Sequence, residues 1–172
     1  MRLQIYTEVL LTAKEIFMKK NENIQLSSTS SMRISLKAIY DGEAGLNERR
    51  KQILSRVPNS DNWATFEYNS ISVKDIAYLS AATHHEFALL RGKSKDILFH
   101  GVGCHCNIIG EMLELLKQRK LRLIAHTHPD YDEIIPSKDD RLFLKQIGQQ
   151  ESIIISYITG KELTFSASLF QK

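Results

Sequence analysis

Residues 122–140 read RLIAHTHPDYDEIIPSKDD, and the reading of the fold turns on them. Residues 122–126 form a short apolar strand, and Pro129 ends it because proline cannot donate to a ladder. Ser137 with Asp140 three positions on marks a helix start, since hydroxyl and carboxylate can each satisfy an orphan amide. The helix predicted from there runs over 137–147 and closes at Gly148. On a strand, residues two apart share a face, so His126 and His128 present two imidazoles side by side.

Working outward, 63–71 reads as a strand, and Ser72 with Asp75 forms a second helix-start box. Val73, Ile76, Leu79 and Ala82 then give that helix a buried stripe. Residues 86–91 and 97–101 bracket Gly92-Lys93-Ser94-Lys95 as a hairpin. Asn107 is the expected cap of a helix with Ile109, Met112, Leu113 and Leu116 on one face. Residues 153–158 and 163–169 pair around Thr159-Gly160-Lys161. Nearer the start, Leu3, Tyr6, Val9, Leu10, Ala13, Ile16 and Phe17 have helical spacing, and 21–31 is a Ser-rich loop. Residues 33–40 alternate as a strand would, Asp41-Gly42 turns, and 47–57 forms a short basic helix stopped by Pro58. The order from residue 63 is strand, helix, hairpin, helix, strand, helix, hairpin. That mixture predicts an α/β or α+β domain over 63–172, a mixed sheet flanked by helices, preceded by an extension over 1–62.

The 172 residues suit one domain with some decoration. Hydrophobic residues at 42% and charged residues at 25% exclude wholesale disorder. A net charge of +3 is too small to argue for nucleic acid by itself. The excess sits in the first sixty residues, with 10 basic and 6 acidic side chains. There Arg49-Arg50-Lys51 reads as the solvated face of a helix. No apolar run reaches the ~18–20 residues that span a bilayer, and the first twenty are too polar for a secretory signal. Cys104 and Cys106 cannot build a disulfide framework, so a reducing, cytoplasmic setting is expected.

Two imidazoles with a nearby carboxylate make a His-His-Asp shell whose fourth position is open to water, the pattern of catalytic zinc. Such an ion lowers the pKa of its water from roughly 15.7 to about 7. His126-x-His128-Pro129 followed by Ser137-x-x-Asp140 resembles the JAMM motif of the MPN+/JAB metallopeptidase family. The Pro136-Ser137-x-x-Asp140 form is similar to its bacterial branch, which includes RadC-like proteins. The family carries a glutamate upstream where a helix gives way to a strand, and Glu86 stands there. The resemblance covers about 63–170. It implies a JAB/MPN-like fold, related to that of cytidine deaminases, with Zn2+ held by His126, His128 and Asp140. It also implies Glu86 as proton carrier and Ser137 as hydrogen-bond donor to the oxyanion.

Eight residues separate His128 from Ser137 where the family has seven. The S-x-x-D phase selects Asp140, with Asp139 a second candidate. Leu89 stands where the family's glycine is expected, and Gly92 comes one position early. The implied activity is hydrolysis of a peptide or isopeptide bond, with a protein or peptide substrate, such as the tail of a ubiquitin-like or sulfur-carrier protein. Three alternatives stand beside it: a RadC-like role with DNA or mobile elements, a metal-free scaffold, and a nucleobase deaminase. The deaminase reading draws on His84-His85-Glu86 and Cys104-His105-Cys106, but lacks the P-C-x-x-C run such enzymes use. That cysteine loop is otherwise a solvated entry to the next helix, a border of the active site or a second metal site. The acidic run Asp130, Asp132 and Glu133 is expected to project into solvent, and Thr127 to face away from the metal.

Overall fold

The computed structural model describes residues 35–130 and 133–168. The first amphipathic helix, the Ser-rich loop and the end of the last expected strand lie outside the described residues. In chain order the elements are α1 (Leu36–Tyr40), α2 (Glu48–Arg56), β1 (Asn62–Glu67), α3 (Val73–Thr83), β2 (Phe87–Arg91) and β3 (Lys95–His100). They continue with α4 (Gly110–Lys117), β4 (Arg122–His128), α5 (Lys138–Gln146), β5 (Glu151–Ser156) and β6 (Glu162–Ser166). Six strands form one mixed sheet in the order β1-β3-β2-β4-β5-β6. Only β4 and β5 run parallel, and α5 makes the crossover between them.

Both faces of the sheet are covered. Ile39 of α1, Ile53 of α2 and Ile76 and Leu79 of α3 pack on Phe87, Leu89, Leu98 and Ala125. Met112 and Leu116 of α4 and Leu144 of α5 pack on Ala88, Leu90, Ile97 and Ile154 of the other face. Burial from both sides is why β2 is apolar at consecutive positions instead of alternating. The glycine missing at Leu89 is therefore replaced by a fully buried core side chain.

Three expectations need correction. The strand over 33–40 is the helix α1 in its described part, with Ser35 accepting a capping bond from the Ala38 amide. Leu36, Ile39 and Tyr40 also satisfy helical spacing, and that face turns to the core. Asn107 does not cap α4, which starts at Gly110 after Ile109 without a side-chain cap. Gly110 has φ +60°, a conformation that stops the helix from extending backward through it. Finally, the basic run is solvated only in part: Arg49 and Lys51 are exposed and Arg50 is largely covered. Arg49 Nη1 and Arg50 Nε reach Asp75 Oδ1 at 2.7 and 3.1 Å, and the Arg50 guanidinium lies 3.7 Å from the Tyr78 ring centre. Helices α1 and α2, inside the stretch set apart as an extension, thus pack against α3.

One irregularity decides where the site lies. Leu89 is opposite Ala125, but Leu90 is opposite Leu123, so Ile124 is an extra residue in β4. A bulge of this kind shifts the alternation of the bulged strand by one. Leu123 packs under α4 and α5, whereas Ala125 packs with the α3 side. After the bulge His126 and His128 face α5, and Thr127 faces α3, where its hydroxyl meets Ser80. Had the strand kept Ile124 and alternated without a break from Leu123, both imidazoles would point to the opposite face.

Candidate metal centre

The end of β4 supplies two ligands and the start of α5 the third. His126 Nε2 lies 3.1 Å from His128 Nε2 and 3.1 Å from Asp140 Oδ1, and His128 Nε2 lies 3.5 Å from Asp140 Oδ2. One ligand atom from each lies within 4.8 Å of the other two, the one such trio found among the described residues. Asp139 is exposed in the first turn of α5 and takes no part in it.

The box at the start of α5 both caps the helix and aims a ligand. Asp140 N–H donates to Ser137 Oγ at 3.0 Å, and Ser137 N–H donates to Asp140 Oδ2 at 2.7 Å. The carboxylate is thereby locked in rotamer, with Oδ1 directed at His126. The cap uses a lone pair of the Ser137 hydroxyl, so its proton is left to donate into the pocket that Ser137 lines.

The donor set fits a cation. Three electron-rich atoms converge, an arrangement that is repulsive unless a proton or cation lies among them. Burial and the His126 ring hold the His128 imidazole below its usual pKa, which disfavours the proton there. Burial alone would raise Asp140, but hydrogen bonding and charge from His126, with help from Ser137, bring it to about 2. A tetrahedral ion with ligands at ~2.0–2.1 Å spaces them ~3.3 Å apart, and the observed separations bracket that value. His128 Nδ1 lies 3.3 Å from Asp130 Oδ2, the outer carboxylate that fixes a ligand's tautomer. Asp130 is held in turn by a 2.6 Å bond from the Ser156 hydroxyl to its carbonyl. His126 Nδ1 is buried with no partner among the described residues.

A pocket of about 610 Å3 opens over this trio. Glu86 lines it from the turn before β2 and is 6% exposed. Burial, then the Asp140 and Asp130 carboxylates, push its pKa up to about 8. Comparison of the chain with protein families, with curated proteins and with solved structures gives no match. What the site can do therefore follows from its own chemistry.

The Cys104-His105-Cys106 loop lines the same pocket but does not join the trio. Burial and the Glu86 charge push the Cys106 thiol well above its ordinary pKa, so it stays protonated and a poor ligand. His84 and His85 do not gather with the cysteines. His84 ends α3 in a left-handed conformation against Tyr40, and His85 Nδ1 lies 3.0 Å from His100 Nε2. Asp130, expected to project into solvent, stands against His128 instead. Its position two residues after His128 was the available signal. Among the described residues no helix is long and apolar enough to cross a membrane.

Proposed function

We propose that this chain is a zinc-dependent hydrolase of the JAMM type, on a JAB/MPN-like fold, that cuts a peptide or isopeptide bond. The observation that carries the reading is the convergence of His126, His128 and Asp140 at one pocket with the buried carboxyl of Glu86. A zinc ion held by those three side chains supplies a Lewis acid and a water acidified to near neutrality. Glu86 would take a proton from the water that attacks the carbonyl carbon and give it to the amine that leaves as the C–N bond breaks. Its raised pKa suits a group that holds a proton between two steps, and a nearby cation moves the value back toward neutral pH. The Ser137 hydroxyl donates to the carbonyl oxygen as negative charge gathers there. Asp130 keeps the His128 lone pair aimed at the centre.

Substrates in this reading are protein or peptide amides, with the tail of a ubiquitin-like or sulfur-carrier protein the first to try. The RadC-like alternative rests on the basic excess of the first sixty residues, within which Arg49 and Arg50 are paired with Asp75. The test is zinc content together with hydrolysis of a ubiquitin-like protein joined through its C-terminal carboxyl to a lysine ε-amine. Wild type is expected to hold one zinc and cut the bond, and Glu86→Gln to keep the zinc and lose the cutting. Full activity in Glu86→Gln, or a wild type that holds no zinc, contradicts the reading.

A further inference from the structure

We propose that Thr127, the residue between the two imidazoles, is a positioning residue that sets the place of Glu86 relative to the metal ligands. The inference rests on the hydrolase reading and adds a residue to it. Thr127 is fully buried on the α3 side of the sheet, so it touches neither pocket nor substrate. Its Oγ1 accepts the Phe87 N–H at 2.9 Å and lies 2.7 Å from Ser80 Oγ of α3.

The first of these bonds matters because of where the ladder stops. Strands β2 and β4 pair as far as Ala88 opposite His126. One residue beyond, the Phe87 amide is satisfied by a side chain of β4, not by its backbone. Phe87 is the residue next to Glu86. The other ties of this turn lead elsewhere: Glu86 N–H donates to Gly103 O at 2.7 Å, and Gly101 N–H donates to Glu86 O at 2.8 Å. His85 is paired with His100, which in turn bonds the Val57 carbonyl at 2.8 Å. All three ties go to β3, the loop after it or the end of α2. Beyond the last ladder pair, the Thr127 hydroxyl is what joins the Glu86 turn to the ligand strand. A β-branched side chain fits the task, since its χ1 freedom is small and its hydroxyl stays aimed.

Threonine at 127 thus acts on both strands at once: its backbone spaces the imidazoles and its side chain spaces the proton carrier from them. A displacement of about 1 Å between a catalytic group and its reaction partner costs on the order of 100-fold in rate. Removing the hydroxyl should therefore reduce turnover without releasing the metal, because His126 and His128 keep their parallel pairing to Ile154 and Ser156 of β5.

The experiment compares Thr127→Val, Thr127→Ser and Ser80→Ala in the full chain. Three quantities are read: zinc affinity by chelator competition, kcat and KM on the lysine-linked conjugate above, and hydrogen exchange of the Phe87 amide in the metal-free protein. Thr127→Val is expected to lower kcat about 30- to 100-fold with KM and zinc affinity within about threefold, and to speed Phe87 exchange at least tenfold more than that of Leu89. Thr127→Ser should restore both turnover and protection. Ser80→Ala leaves the Phe87 bond in place, so kcat should stay within about threefold of wild type even where Tm drops. Full kcat in Thr127→Val, unchanged Phe87 exchange, or an equal loss of kcat in Ser80→Ala overturns the proposal and leaves the hydrolase reading standing. A wild type that binds zinc but cuts no conjugate removes the hydrolase reading, and the role of Thr127 with it.

Discussion

The chain writes the same helix-start box twice, at Ser72-x-x-Asp75 and at Ser137-x-x-Asp140, and both close with reciprocal bonds between side chain and backbone. They differ in what else the carboxylate meets. Asp75 is 2% exposed and accepts from Arg49 and Arg50, which are cations at every working pH. Asp140 faces His126 and His128, which offer lone pairs once neutral. Burial works against the charge of both. Arg49 and Ser72 hold Asp75 below its usual value, and His126 and Ser137 bring Asp140 down to about 2. One box ties α2 to α3 and is complete. The other meets two imidazoles and needs a proton or a bound cation between them and the carboxylate. A motif of this kind carries no function until its third partner is known.

The sharpest way to break the comparison is to neutralise each carboxylate in turn. Asp140→Asn should lose zinc and, with it, hydrolysis to below detection, measured by metal analysis and conjugate cleavage. Asp75→Asn should keep zinc and lower stability by about 2–4 kcal/mol in urea unfolding, since it removes a cap and charge-assisted bonds. Arg49 is more than half exposed, so solvent screening keeps the figure near the lower end.

The paired serines come next. Ser137→Ala is expected to lower kcat on the order of 100-fold through the lost oxyanion donor, with a stability loss of about 1 kcal/mol. Ser72→Ala should show the same ~1 kcal/mol with kcat unchanged.

A pH series separates the site's two acids. The pKa of Glu86 is raised to about 8 in the fold from an ordinary 4.5, so the fold prefers its neutral form. The metal-free protein should then lose stability as pH rises from about 5 to 8, by on the order of 5 kcal/mol, and level off above. Glu86→Gln should flatten that slope in thermal unfolding. The pKa of Asp140 is lowered, so its contribution is present above about pH 4 and lost as pH falls toward 2.

Much of this was legible in the residues, and the failures share a cause. His126-x-His128 and Ser137-x-x-Asp140 could be read because their meaning is local: strand alternation and the first helical turn. Alternation at 33–40 misled because five residues of helix fit the same letters, and packing on α3 decided between them. The bonds of Arg49 and Arg50 to Asp75 depend on a partner 25 or 26 positions away, which no local pattern records. The bulge at Ile124 bears no glycine or proline to announce it, yet it aims both imidazoles. The S-x-x-D phase selects Asp140 over Asp139, and the helix start places Asp140 toward the imidazoles and Asp139 in solvent.

The most direct measurement is anomalous scattering at the zinc absorption edge from crystals of the zinc-loaded protein. One peak is expected, ~2.0–2.2 Å from His126 Nε2, His128 Nε2 and a carboxylate oxygen of Asp140, with the Glu86 carboxyl facing it across the pocket. No peak there, or a peak bound instead by Cys104 and Cys106, would contradict the account.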